Sequence, residues 1–324
     1  MSRAIRLHQV GGPEVLRLET VDVGAPGEGE VQLRHTAIGL NYIDVYDRTG
    51  LYPMPLPASL GREAAGVVVA LGKKVKGLRL GDRVAYVLTQ PGSYCERRNV
   101  PADRLVKLPK GVSDEQGAAM MLKGLTAQYL LRRTYRVQRG DWILVHAAVG
   151  GVGLILCQWA KALGARVIGV VGSEAKVELA RLHGCKHVLV QGREPLVESV
   201  KAITGGTGVR VVYDSVGRDT FMDSLDCLAP LGMMVTYGNA SGPVPAFSPL
   251  ELSKRGSLFL TRPSLFAYIA QRKDLESSAR ELFRAISSKK VKVRIGQRYA
   301  LADAAQAHRD LEARRTVGST VLIP

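Results

Sequence analysis

The richest chemistry in the sequence lies in the spacing of Ala148-Val149-Gly150-Gly151-Val152-Gly153. An apolar stretch, WILVHAA (142–148), runs into these residues. A helical stretch follows them, and then a second apolar stretch, RVIGVVG (166–172). Strand, glycine turn, helix, strand is the order that holds a dinucleotide, here G-x-G-x-x-G with alanine at the first glycine. Gly150 has no side chain, so backbone can approach a pyrophosphate, and Gly153 lets the helix lie close to the strand. The helix N-terminus offers free N–H groups and the positive end of its dipole to the phosphates. Gly205-Gly206-Thr207-Gly208 stands before a strand, the wrong order, and reads as a loop.

The choice of nicotinamide cofactor is written just after the second apolar stretch. NAD sites place an acid there for the ribose 2′-OH. This chain has Val171-Gly172-Ser173, with Lys176 expected one helical turn on. Gly172 leaves room, Ser173 can cap a helix and donate to a phosphate, and Lys176 supplies charge. Glu174 opposes this only if it turns toward the ribose; its other role is a first-turn carboxylate favoured by the helix dipole. The balance points to NADPH.

These residues sit in a chain of two textures. Residues 1–122 read as short strands and turns: EVQLRHTAIGL (30–40), AAGVVVALG (64–72) and DRVAYVL (82–88). Few crossover helices separate them, so the expectation is a largely antiparallel or barrel-like sheet. Residues 123–264 begin with a helical stretch, GLTAQYLLRRTYRV (124–137). Apolar strands and helices then alternate, as in a doubly wound parallel sheet, with SLFLTRP (257–263) closing it. Residues 265–324 carry a helix (274–289), a strand (291–301), a helix (304–315) and a last strand (320–324), and return to the first domain.

Composition narrows the classes further. The chain has 324 residues, 46% hydrophobic, which excludes a disordered protein. Lys+Arg 45 against Asp+Glu 29 gives a net charge of +16, which favours anionic partners. Four dispersed cysteines (Cys95, Cys157, Cys185, Cys227) suggest free thiols in a reducing compartment. With no signal-peptide or membrane-spanning pattern, the expectation is a soluble, cytoplasmic protein. His183-Gly184-Cys185-Lys186-His187 is the one tempting metal cluster. Its glycine falls where a helix should end, so it reads as a turn. His146 reads as structural.

Four segments together resemble one family. They are residues 39–53 (GLNYIDVYDRTGLYP), GREAAG (61–66), HAAVGGVG (146–153) and YDSVGRD (213–219). They are similar to the zinc-independent quinone oxidoreductases of the medium-chain dehydrogenase/reductase superfamily. That resemblance implies a Rossmann domain, a GroES-like, mostly β catalytic domain built from both ends of the chain, and a homodimer. It further implies that Asn41 and Thr126 lie near the nicotinamide and Gly150, Gly151, Val152 and Gly153 under the pyrophosphate. Gly172, Ser173, Lys176 and Arg314 would surround the 2′-phosphate. Ser215, Tyr237, Gly238, Asn239 and Ser241 would line the adenine–ribose side or the cleft, with Thr261 and Arg262 further along. The family's frequent tyrosine near the 2′-phosphate is Gln191 here. Zinc-using members carry Cys and His where this chain has Asn41 and Arg62.

Without a Lewis acid, the acceptor must already be electrophilic: a quinone or an α,β-unsaturated carbonyl. Tyr46 and Tyr52 would stack on it or bond to it, or else only pack. Asp44 and Arg48, spaced i, i+4, read as a structural ion pair. From Ser253 onward there are 15 Lys+Arg against 6 Asp+Glu, and Lys290, Lys292 and Arg294 would alternate on a strand face. This leaves weak, salt-sensitive nucleic-acid binding as a side activity. The other alternative is a crystallin-like structural protein that retains the NADPH site.

Overall fold

A computed structural model describes residues 1–324 as two units. The first contains Met1–Leu125, Ile269–Phe283 and Val293–Pro324, and the second Thr126–Tyr268 and Arg284–Lys292. The change at Leu125 falls inside the helix Asp114–Tyr129, where no shift in composition marks it. Arg284–Lys292 groups with the second unit, whereas the sequence placed it in the returning segment. The side chain of Gln158 holds it there, donating to Lys292 O at 3.1 Å and accepting from Lys292 N–H at 2.9 Å.

In the first unit the strand Glu30–Leu40 alternates buried and half-buried residues and then turns wholly buried toward Leu40. It pairs antiparallel with Glu63–Leu71, Arg97–Pro101 and Ser319–Ile323. The expected antiparallel sheet is therefore closed by the end of the chain. Ile295–Ala300 is its one parallel addition. Leu33, Ile38, Leu40, Val84, Tyr86 and Leu322 fill the core. Each such large apolar side chain contributes about 1.5–3 kcal/mol on burial. A smaller sheet joins Arg17–Val21, Ser2–Leu7 and Ala58–Ser59. Lys290, Lys292 and Arg294 do not alternate on a strand as expected. Strand pairing starts only at Ile295, because the segment before it is tied to Gln158.

The second unit is the doubly wound sheet. Its six parallel strands lie in the order Cys185–Val190, Arg166–Val171, Trp142–Val145, Val209–Asp214, Leu228–Thr236, Phe259–Thr261. Short apolar runs such as WILV and RVIGVV are buried almost throughout, as strands covered on both faces require. Strand order reverses between the two neighbours of Trp142–Val145. In such sheets ligands bind at that switch, outside the carboxyl ends of the strands. No helix of the protein is long and apolar enough to cross a membrane.

Candidate active site

In the second unit the glycine turn follows Val145. Ala148 N–H donates to Val170 O at 3.0 Å, tying the turn to the second strand. Alanine is tolerated at the first glycine position because the left-handed backbone lies one residue earlier, at Ala147 (φ 50°). Ala148 is fully buried, and its methyl occupies space left by Gly169, where an added Cβ would come within 2.9 Å of it. Gly150 caps the helix Gly151–Ala162, and Leu154 N–H is the first to close onto Gly150 O, at 2.9 Å. The N–H groups of Gly151, Val152 and Gly153 precede that bond and point out of the helix end. A Cβ on Gly153 would stand 2.3 Å from Ala147 O, so nothing larger than glycine fits. The cradle suits a pyrophosphate.

At the tip of Arg166–Val171, a Cβ on Gly172 would meet nothing within 4 Å. Ser173 is extended and makes no side-chain cap bond, so its hydroxyl is not committed to the next helix. Lys176 closes a 3₁₀ turn, Glu174–Lys176, rather than sitting one turn into an α-helix as expected. The α-helix begins at Val177. Glu174 forms an exposed ion pair with Arg193. Past the next strands, buried Asp214 accepts from Val216 N–H (2.7 Å), Gly217 N–H (3.2 Å) and the Thr220 hydroxyl (2.8 Å), which fixes the loop carrying Ser215. The Ser241 hydroxyl bonds Val216 O and Asp219 N–H. Gly238 lies so close to Ser215 that a Cβ would be 2.3 Å from its carbonyl oxygen, and Arg262 donates to Gly238 O at 3.0 Å. Tyr237, Asn239 and Thr261 are half-buried beside them in sequence. All these positions lie at or just after the carboxyl ends of parallel strands. Thr126 is buried in its helix. His146 bonds the Ser224 hydroxyl at 2.9 Å, and burial lowers its pKa, which fits a structural role.

In the first unit Asn41 caps the helix Tyr42–Thr49. Its Nδ2 donates to Glu63 Oε1 at 2.8 Å, and that oxygen also accepts from Lys123 Nζ at 2.9 Å. Leu122 N–H donates to the other oxygen of Glu63 at 2.6 Å. A Cβ on Gly39 would stand 2.4 Å from Glu63 Oε1, so glycine makes room for the carboxylate. Tyr46 and Tyr52 meet edge to face at 5.3 Å, with Tyr42 5.5 Å from Tyr46.

The expected Asp44–Arg48 pair does not form. Arg48 sends its guanidinium fork to Glu312, both bonds 2.8 Å, and donates to His308 Nδ1 at 3.0 Å. Since arginine only donates, His308 carries its proton on Nε2 and gives it to the Tyr94 hydroxyl (3.1 Å), which donates to Asp44 Oδ2 at 2.9 Å. Asn41 N–H donates to the same oxygen, while Asp44 Oδ1 is buried without a partner. Burial pushes the Asp44 carboxyl up to about 7, and burial with the Arg48 charge brings His308 down to about 3. Arg62 grips buried Asp47 at 2.7 and 3.0 Å.

Comparison with known proteins agrees with both units. Residues 27–138 match the alcohol dehydrogenase GroES-like domain, and residues 151–285 match the zinc-binding dehydrogenase family. Over its whole length the chain is 52% identical to the whole of a Salmonella typhimurium quinone oxidoreductase. The structure of Escherichia coli quinone oxidoreductase complexed with NADPH superposes with a TM-score of 0.98 at 50% identity, all of each chain covered. A Burkholderia 2-haloacrylate reductase is 45% identical over 100% of this chain and 99% of its own. The chain belongs to the quinone oxidoreductase family, within the medium-chain dehydrogenase/reductase superfamily.

Membership of that family explains why Asn41 and Arg62 stand where zinc-using members have Cys and His: here both are committed to carboxylates, Glu63 and Asp47. Sequence reasoning missed Glu63 and Lys123 as site residues. The one signal available was the acid inside GREAAG. It also missed the Tyr94–His308 link, whose partners lie 214 residues apart.

Proposed function

We propose that the protein reduces quinones, and α,β-unsaturated carbonyls of similar polarity, with NADPH and without zinc. The observation that carries this reading is the turn Ala147–Gly153, with glycine at 150, 151 and 153, in a chain that matches a quinone oxidoreductase solved with NADPH from end to end. NADPH, when bound, supplies the hydride. Gly151, Val152 and Gly153 hold the pyrophosphate through backbone N–H groups, and Gly150, whose own N–H donates to Ala147 O, lets it approach because it carries no side chain. Gly172, Ser173, Lys176 and Arg314 take the 2′-phosphate, and the Glu174–Arg193 pair keeps the nearby acid occupied. Ser215, Tyr237, Gly238, Asn239, Ser241, Thr261 and Arg262 line the remaining nucleotide positions. Asn41 and Thr126 face the nicotinamide, and Tyr46 and Tyr52 bound the acceptor. With Asn41 and Arg62 held by carboxylates, no Lewis acid polarises an alcohol, so the acceptor is electrophilic in itself. We place the enzyme in the cytoplasm, in keeping with four buried free cysteines, and as a homodimer, as the family resemblance implies.

The test is NADPH consumption against a panel of quinones, enones and simple alcohols, with and without a strong chelator. Quinones accelerate consumption and the chelator leaves the rate unchanged. Reduction of NADP by a simple alcohol, or one zinc per chain whose removal abolishes activity, overturns the reading. Charged hydrogen bonds are worth about 1.5–3 kcal/mol, so Lys176→Ala and Arg314→Ala each weaken NADPH roughly ten- to a hundredfold and NADH far less. Equal losses for the two cofactors would sink the 2′-phosphate assignment.

A further inference from the structure

We propose that Glu63 and Lys123 are positioning residues that lock the amide of Asn41 in one orientation, its nitrogen toward Glu63 and its oxygen presented as an acceptor. The proposal rests on the reading of Asn41 as a nicotinamide-side residue.

Three observations carry it. Glu63 is completely buried, and both its oxygens accept from N–H donors: Leu122 on one side, Asn41 and Lys123 on the other. A carboxylate offers only acceptors, so Asn41 must turn its Nδ2 inward, and its Oδ1 turns outward to the helix end, where it also accepts from Asp44 N–H in the capping box. Lys123, also buried, donates to Glu63 and spends a second N–H on Leu40 O at 3.1 Å, which fixes the strand end directly before Asn41. Gly39 is the third element, because any side chain there would drive into Glu63. Two buried charges and a glycine thus converge on one neutral amide.

Glu63→Gln is the discriminating change. The new amide cannot accept on both sides: with its nitrogen at Leu122 N–H it releases the backbone that holds it, and with its nitrogen at Asn41 and Lys123 it reverses the Asn41 amide, so the single arrangement the carboxylate enforces is lost. The chain contains three asparagines, Asn41, Asn99 and Asn239, so ¹⁵N-asparagine labelling yields three side-chain amide signals. The signal absent from Asn41→Ala should shift in E63Q and leave the other two in place. This readout needs no turnover, so it stands apart from the test of quinone reduction in the wild type.

In turnover, E63Q should lower kcat roughly tenfold or more while NADPH affinity stays within about twofold. The same change in an N41A background should lower kcat less than about twofold further. An unmoved Asn41 signal, or a full additive loss on top of N41A, overturns the proposal. Should E63Q fail to fold, Asn41→Asp carries the test. Two carboxylates at hydrogen-bond distance share a proton, so kcat in that variant rises as pH falls while wild-type kcat does not. A pH-independent variant with wild-type kcat refutes the positioning role.

Discussion

Around Gly150–Gly153 the second unit makes its closest contacts with backbone and keeps its ionic partners, such as Glu174 and Arg193, at the surface. Around Asn41 the first unit does the reverse and buries Asp44, Asp47, Arg48, Arg62, Glu63 and Lys123 within a short stretch of structure. Asp214 is the second unit's one buried carboxylate, and backbone N–H groups and a threonine satisfy it. The contrast follows from what each region must hold. A dinucleotide brings its own charge, and a helix end with glycines receives it without side chains. On the proposed reading the Asn41 side receives a neutral acceptor, which brings none, and the orientation of neutral groups such as Asn41 is set by charges the protein itself buries.

That contrast can be broken first at Arg62. Replacing it with methionine strands Asp47, which is 1% exposed, and should cost about 3–5 kcal/mol in denaturant unfolding. A loss below about 1 kcal/mol would show that the buried ion pairs are not what holds the first unit together. Next comes Gly153→Ala. Its methyl meets Ala147 O, so the helix must shift, at about 1–3 kcal/mol and with markedly weaker NADPH binding by titration. Unchanged affinity would mean that the close helix–strand approach does not shape the cradle.

The third test is a pH slope. Asp44 is raised from 3.8 to about 7, so the folded state holds that proton more tightly than the unfolded chain does. Its stabilisation is complete below about pH 4 and is lost as pH climbs toward 7. His35 and His308, lowered to about 4 and about 3, contribute fully above about pH 6.5 and lose that contribution on acidification. The two trends oppose each other in wild type. Asp44→Asn removes one of them, so the variant should lose about 1–3 kcal/mol more than wild type between pH 7 and pH 5. Parallel slopes would show that Asp44 stays ionised in the fold. The smallest effect is expected for Arg193→Ala. An exposed ion pair is worth at most about 1 kcal/mol, so unfolding barely changes while NADPH loses slightly against NADH as Glu174 is released. A tenfold swing in that ratio would make Arg193 part of the phosphate site.

The same contrast decides what could be read from the sequence. The glycine turn, its flanking strands and the strand Glu30–Leu40 are local patterns, and they appear where the residues imply them. The ionic network is not local. Glu63 meets Lys123 60 positions away, and Arg48 meets Glu312 264 positions away, through strand register and helix docking that no spacing rule encodes. The i, i+4 rule suggested Asp44 for Arg48. It failed because a planar guanidinium gains two parallel bonds from Glu312, and Asp44 is already engaged by Asn41 N–H and Tyr94. Lys176 was misplaced by a smaller effect, a 3₁₀ turn inserted before the helix.

The strand Ser319–Ile323 lies between Glu30–Leu40 and Ile295–Ala300 in the first unit's sheet. During synthesis, therefore, Glu30–Leu40 emerges early and waits for a neighbour made nearly three hundred residues later. The six strands of the parallel sheet, Trp142 to Thr261, are all available well before that neighbour exists. The nucleotide-holding unit can fold while the chain is still on the ribosome. The unit carrying Asn41 keeps an open strand edge until its last strand arrives, and so has the longer exposure to wrong partners.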